Sequence, residues 1–145
     1  MEDNDPIGVG VIIIDAFTGK ILLGKRKNAY KSGMWGFPGG RLEKTEPLMT
    51  CAVRELLEET GVHGNEFHYV GAVRELQGNK NERGYNFIHF IFSCQDYSGA
   101  IGTKEPDKCE GWEWFSLDAL PKEILPGHKA AIDMYVDKSL YKDLV

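Results

Sequence analysis

Cysteine is scarce in this chain: Cys51, Cys94 and Cys109 are odd in number, widely spaced and form no CxxC pair. That argues against a disulfide scaffold or a cysteine zinc site and fits reduced thiols in the cytoplasm. Long hydrophobic runs are missing too. The longest, around Val9 to Ile14, is far too short to span a bilayer, so no membrane association is expected. The opening residues, MEDNDP, lack the basic region and apolar stretch of a secretory signal, which again points to a cytoplasmic protein. Positive charge is in deficit, with 17 basic against 22 acidic residues and a net charge of -5. Duplex nucleic acid is therefore a poor partner, because phosphate-backbone binding needs a basic surface. A small polyphosphate is not excluded, provided divalent cations lie between the two sets of negative charge. No repeat, low-complexity tract or linker divides the 145 residues, and 42% apolar with 27% charged residues is ordinary globular composition. A single domain over residues 1–145 is expected.

What is present reads as a mixture of strands and helices. Ile7 to Ile14 is rich in β-branched residues and predicts a buried strand, followed by a turn at 15–20 and a strand at Ile21 to Lys25. Tyr30 to Gly40 holds four glycines and a proline and predicts a loop or short irregular strand. A helix follows, with Thr45 or Glu46 as its cap, Pro47 in its first turn and Gly61 at its stop. Phe67 to Leu76 and Tyr85 to Cys94 predict two more strands around the loop GNKNERG, and Trp112 to Phe115 a short one. Ser116 to Pro121 predicts a short helix and Lys129 to Leu140 a terminal amphipathic one. Without a regular βαβ alternation, the fold class is α/β with a mixed sheet.

The helix at 47–60 carries the chemistry. On a wheel of roughly 100° per residue, Leu48, Met49, Ala52, Val53, Leu56 and Leu57 share one arc. Glu55, Glu58 and Glu59 form a second cluster at i, i+3 and i+4, where like charges repel. They also sit in the last turns, where the macrodipole disfavours negative charge. A bound divalent cation reverses the sign of both effects. Mg²⁺ suits all-oxygen ligands shared with substrate phosphates, and with no His or Cys in the cluster zinc does not. The competing reading is a solvated face without function.

The spacing around those acids decides between the two. Gly40, five residues, Glu46, seven residues, Arg54-Glu55-Leu56, one residue, Glu58-Glu59, one residue, Gly61-Val62 resembles the Nudix box at every defined position of its 23 residues. The lead-in Trp35-Gly36-Phe37-Pro38-Gly39 is similar to the family's approach to that box. The resemblance implies an α/β/α sandwich with a mixed β-sheet between helices, and Mg²⁺-dependent hydrolysis in which Mn²⁺ substitutes. It implies Glu55 and Glu59 as principal metal ligands, Glu58 as a further ligand or water-holding carboxylate, and the Gly39 carbonyl as completing the coordination. It also implies Arg54 as orienter of the glutamates, Glu46 as support for the loop–helix junction, Gly40 as the first position of the box, and a homodimer as an open alternative to a monomer.

A second resemblance concerns substrate. Glu105-Pro106-Asp107-Lys108-Cys109-Glu110-Gly111-Trp112-Glu113-Trp114, with Leu22-Leu23-Gly24-Lys25-Arg26, is similar to MutT-type members of that family. It implies a nucleoside triphosphate, oxidised purine nucleotides such as 8-oxo-dGTP included, cleaved by water to the monophosphate and pyrophosphate. Thr45 and Arg41 depart from the branch's usual glycine and histidine, and Arg41 leaves base preference open. For the proton acceptor, Glu58 competes with an acid from outside the helix: Glu110 is the expected one, with Glu105 and Glu113 as competitors. Trp35, Phe37, Phe87, Phe90 and Trp112 are candidate base-stacking residues, Asn86 and His89 candidate edge readers, and Lys25, Arg26 and Lys27 candidate phosphate contacts. For each of them core packing or plain surface is the rival reading, so the substrate-binding set stays open. Two alternatives stand beside this reading: a pyrophosphatase for ADP-ribose, a dinucleoside polyphosphate or another organic pyrophosphate, and a nucleotide-sensing module without turnover.

Overall fold

The first strand, β1 (Ile7–Ile13), divides its side chains between two cores, and that alternation organises the fold. Ile12 joins one buried cluster, while Val9, Val11 and Ile13 join another. A strand covered on both faces needs a near-continuous apolar run, which IGVGVII supplies. The computed structural model describes residues 6–28, 32–76 and 86–145. Tyr30, Tyr85 and the GNKNERG loop at residues 78–84 lie outside them.

β1 lies between β4 (Gly39–Arg41), antiparallel to it, and β6 (Phe87–Ser98), parallel to it. β6 pairs antiparallel with β5 (His63–Glu75), and β5 parallel with β8 (Tyr141–Leu144), giving a mixed sheet of order β4-β1-β6-β5-β8. A second, antiparallel sheet places β2 (Ile21–Arg26) between β3 (Trp35–Gly36) and β7 (Cys109–Phe115). The bridge between Ile14 and Ile21 joins the two sheets. Helix α1 (Leu48–Thr60) covers one core with Cys51, Ala52 and Leu56, and α2 (Pro126–Asp137) covers the other with Ala130, Ala131, Ile132 and Met134. The fold is α/β with a mixed sheet between two helices, as expected.

Several local expectations are corrected. Neither Thr45 nor Glu46 caps α1: Pro47 occupies the N-cap without a side-chain cap bond, and the Glu46 carboxylate turns to Arg54 instead. Met49 and Leu57 are 42% and 48% exposed, while Cys51 and Thr60 complete the buried stripe. Thr60 is tolerated there because its hydroxyl donates to the Leu56 carbonyl at 2.7 Å, which an apolar pattern does not register. Gly61 does end the helix, at φ 81, with its N–H donating to the Leu57 carbonyl.

Ser116 to Pro121 forms no helix. A single Ala119 N–H to Ser116 carbonyl bond closes a turn, and Pro121 cannot extend it. The last helix starts earlier than Lys129, at Pro126, whose fixed φ suits a first turn. It stops at Asp137, before β8, a four-residue strand too short to leave a periodic signal.

Candidate active site

The carboxylates of α1 reach the cleft because edge strand β4 begins with two glycines. A Cβ on Gly40 would fall 2.4 Å from the Glu55 carboxyl carbon, so only glycine leaves room for that side chain. A Cβ on Gly39 would fall 2.5 Å from the Val9 carbonyl oxygen on β1, and the Gly39 N–H donates to Glu59 Oε2 at 2.7 Å. Burial pushes the Glu59 pKa up to about 8, against the lowering effect of that N–H, and Glu55 and Glu105 push it the same way. Burial also raises Glu55, although Arg54 opposes it.

Arg54 ties the cluster together. Its Nε and Nη2 donate to the two Glu46 oxygens at 2.7 and 2.9 Å, and Nη1 donates to Glu55 Oε1 at 2.9 Å and Glu58 Oε2 at 3.3 Å. A planar guanidinium suits such a fork, and a lysine does not. The bond from Arg54 holds the Glu46 carboxyl down at about 2, so Glu46 anchors the arginine while Arg54 aims the other acids. Glu58 is half exposed.

The last turn of α1 has no basic residue, so its carbonyls are met from elsewhere. The Trp112 indole N–H and the Lys104 N–H each donate to the Glu59 carbonyl at 3.3 Å, and the Gly102 N–H donates to the Thr60 carbonyl at 2.8 Å. This segment also brings Glu105 into the cleft wall, close enough to act electrostatically on Glu55 and Glu59. Glu110 is placed differently. It is half exposed on β7, 3.9 Å from Lys25, and does not line the cleft; nor does Glu113, exposed on the same strand.

The cleft measures about 430 Å³, a size suited to a small ligand. Of the residues singled out from sequence, it brings together Gly39, Gly40, Glu55, Glu58 and Glu59 with Phe37, Phe87, His89, Trp112, Lys25, Arg26 and Arg41. Trp35 instead packs edge-on against Phe115 in the core, and Phe90, Asn86 and Lys27 stand outside the lining. Sequence reasoning missed Glu75, Lys108, Gly127 and His128, which also line the cleft. They come from β5, the approach to β7, and α2, and no local pattern links them.

Among the described residues, no three His, Cys, Asp or Glu side chains converge to hold a metal alone. The donor set fits a shared Mg²⁺ better than a closed cage. That ion typically takes one or two carboxylates and completes its octahedron with water and substrate phosphate.

The sequence matches the NUDIX domain over residues 5–135. It is 35% identical over 116 residues to nucleoside diphosphate-linked moiety X motif 6 of Homo sapiens, covering 80% of this chain and 36% of that protein. It is 33% identical to the oxidized purine nucleoside triphosphate hydrolase of Danio rerio, over 71% of this chain and 62% of that one. The chain thus spans little more than a third of the human relative's length. Among solved structures, the MutT NUDIX hydrolase from Burkholderia pseudomallei superposes with a TM-score of 0.82 at 30% identity, covering 91% of this chain and 98% of that one.

Proposed function

This chain belongs to the NUDIX domain family, and we propose that it hydrolyses a nucleoside triphosphate, with Mg²⁺, to the monophosphate and pyrophosphate. The observation that carries this reading is the Glu55–Glu59 pair. Two carboxylates stand half-buried side by side, one with its pKa at about 8, in a cleft that also presents Lys25, Arg26 and Lys108. Such an arrangement is costly in the free protein and suits a bound cation with polyphosphate.

In this reading Glu55 and Glu59 hold Mg²⁺, with Glu58 and the Gly39 carbonyl available to complete its protein ligands, and Mn²⁺ accepts the same oxygens. The ion supplies charge neutralisation at phosphate oxygens and an acidified water. Arg54, locked by Glu46, keeps Glu55 and Glu58 aimed before substrate arrives, so little reorganisation remains for the reaction itself. Lys25, Arg26 and Lys108 meet the remaining phosphate charge, since positioning and neutralisation dominate phosphoryl transfer. Glu105, rather than Glu110, takes the proton from the attacking water. It lies in the cleft wall beside those acids, 3.6 Å from Lys108 and not bound by Arg54. The Danio rerio relative is named for oxidised purine triphosphates, which supports a purine triphosphate here. The intact Arg54, Glu55, Glu58 and Glu59 favour turnover over a sensing module.

Chromatography of products from nucleoside triphosphates, 8-oxo-dGTP and ADP-ribose, with and without Mg²⁺, tests the proposal. The expected result is metal-dependent monophosphate and pyrophosphate from a triphosphate. Turnover of ADP-ribose alone would overturn the substrate class, and no turnover of any compound would overturn the reading itself.

A further inference from the structure

At the end of the cleft away from the α1 carboxylates, one face of the five-stranded sheet changes character. Ile12, Val73 and Ile91 share that face and lie in the α2 core. Further along the strands, the same face presents Gly8 on β1, His89 on β6 and Glu75 on β5, with Gly8 directly opposite His89. Glu75 is only 8% exposed, yet it lines the cleft. His89 Nε2 lies 3.4 Å from Glu75 Oε1, off hydrogen-bond geometry, and is a buried polar atom without a hydrogen-bond partner among the described residues. Native interiors rarely leave such an atom unmet, because its desolvation goes uncompensated.

The surroundings keep space for this pair. A Cβ on Gly8 would approach His89 Nδ1 to 2.9 Å, and one on Gly127 would approach Glu75 Oε1 to 2.7 Å. The Phe87 ring stacks on His89 at 5.1 Å with Arg41 over Phe87 at 5.8 Å, so the imidazole is held flat. From α2, His128 accepts the Phe37 N–H at Nδ1 (3.0 Å), which puts a neutral imidazole's proton on Nε2. Three strand spacings, about 14 Å, separate β4, against which the α1 acids rest, from Glu75 on β5.

We propose that Glu75 and His89 are specificity-determining residues that read a heterocyclic ring through two adjacent N–H donors. The inference rests on the nucleotide reading of the cleft. A carboxylate only accepts, and it pairs best with two parallel donors. Among common nucleobases, guanine offers that edge: a ring N–H beside an exocyclic amine. Adenine places an acceptor next to its amine, cytosine does the same, and uracil has a single N–H flanked by carbonyls. His89 Nε2 takes the neighbouring position on the ring. A site built to hydrogen-bond a group rejects the analogue without it, since its own buried polar atoms are then left unpaired.

Calorimetric titration of the protein with GMP, IMP, AMP and CMP reads this without any turnover. IMP differs from GMP only in lacking the exocyclic amine. GMP is expected to bind roughly ten- to a hundred-fold tighter than IMP and AMP, and E75Q to bring GMP to the level of IMP. Equal affinity for GMP and IMP, or an E75Q protein that keeps the preference, would overturn the proposal and leave the triphosphatase reading intact. Binding of none of the four would overturn both. Should E75Q not fold, the wild-type GMP-to-IMP ratio decides alone.

Discussion

The two ends of the cleft are built in opposite ways. The acidic end is local: Glu46, Arg54, Glu55, Glu58 and Glu59 lie within fourteen consecutive residues, on one helix and its lead-in, and lean on two adjacent glycines of β4. The far end is assembled from Gly8, Glu75, His89 and His128, one each from β1, β5, β6 and α2. Fixed spacing suits a task in which carboxylates share one ion, because a helix holds i and i+4 side chains in register. A site drawn from four elements can change one residue at a time without disturbing the others. On the proposed reading, the acidic end is therefore the place for chemistry common to many substrates, and the far end the place where a substrate is chosen.

The largest expected effect lies at the acidic end. Glu59→Gln removes a carboxylate that the proposed mechanism assigns to the metal, without adding volume, and kcat should fall roughly 10³-fold on every substrate. Arg54→Lys keeps the charge but loses the fork that spans Glu46, Glu55 and Glu58. Misaimed acids should cost on the order of 10²-fold in kcat, measured against the fold's integrity by circular dichroism. Glu105→Gln should lower kcat by about 10²-fold with KM little changed. Glu110→Gln should change kcat less than about twofold, since its exposed pairing with Lys25 is worth about 0–1 kcal/mol at most.

Stability follows the same division. Without metal, folded Glu59 titrates at about 8 instead of the ordinary 4.5. Between those values the folded state binds a proton that the unfolded state has lost, so stability falls as pH rises through that window. Melting of the metal-free protein should show that decline, and Mg²⁺ should raise Tm more above the window than within it. In Glu59→Gln the decline should shrink. A melting temperature that rises across the window would contradict the burial of Glu59.

This contrast also explains what sequence could and could not reveal. Spacing within one helix survives folding unchanged, so Arg54, Glu46, Glu55, Glu58 and Glu59 were legible as a cluster, and the α/β class followed from the mixture of strands and helices. Glu75 and His128 carried no such signal. Their neighbours in space lie tens of residues away, and only the β5–β6 register and the placement of α2 bring them to one face. Glu105 and Glu110 show the limit between the two cases. Both stand in EPDKCEGWEW, and which of them lines the cleft depends on where β7 begins and which way each side chain faces. The turn at Ser116 to Pro121 and the strand at Tyr141 to Leu144 are too short for periodicity to distinguish.

The division of labour between the two ends is tested most directly by kcat and KM for GTP, ITP and ATP in the wild type, Glu59→Gln and E75Q. The account predicts that Glu59→Gln lowers kcat on all three by a similar factor and keeps their ranking, while E75Q raises KM for GTP and erases the ranking. Loss of ranking in Glu59→Gln, or a uniform loss of kcat in E75Q, would contradict it.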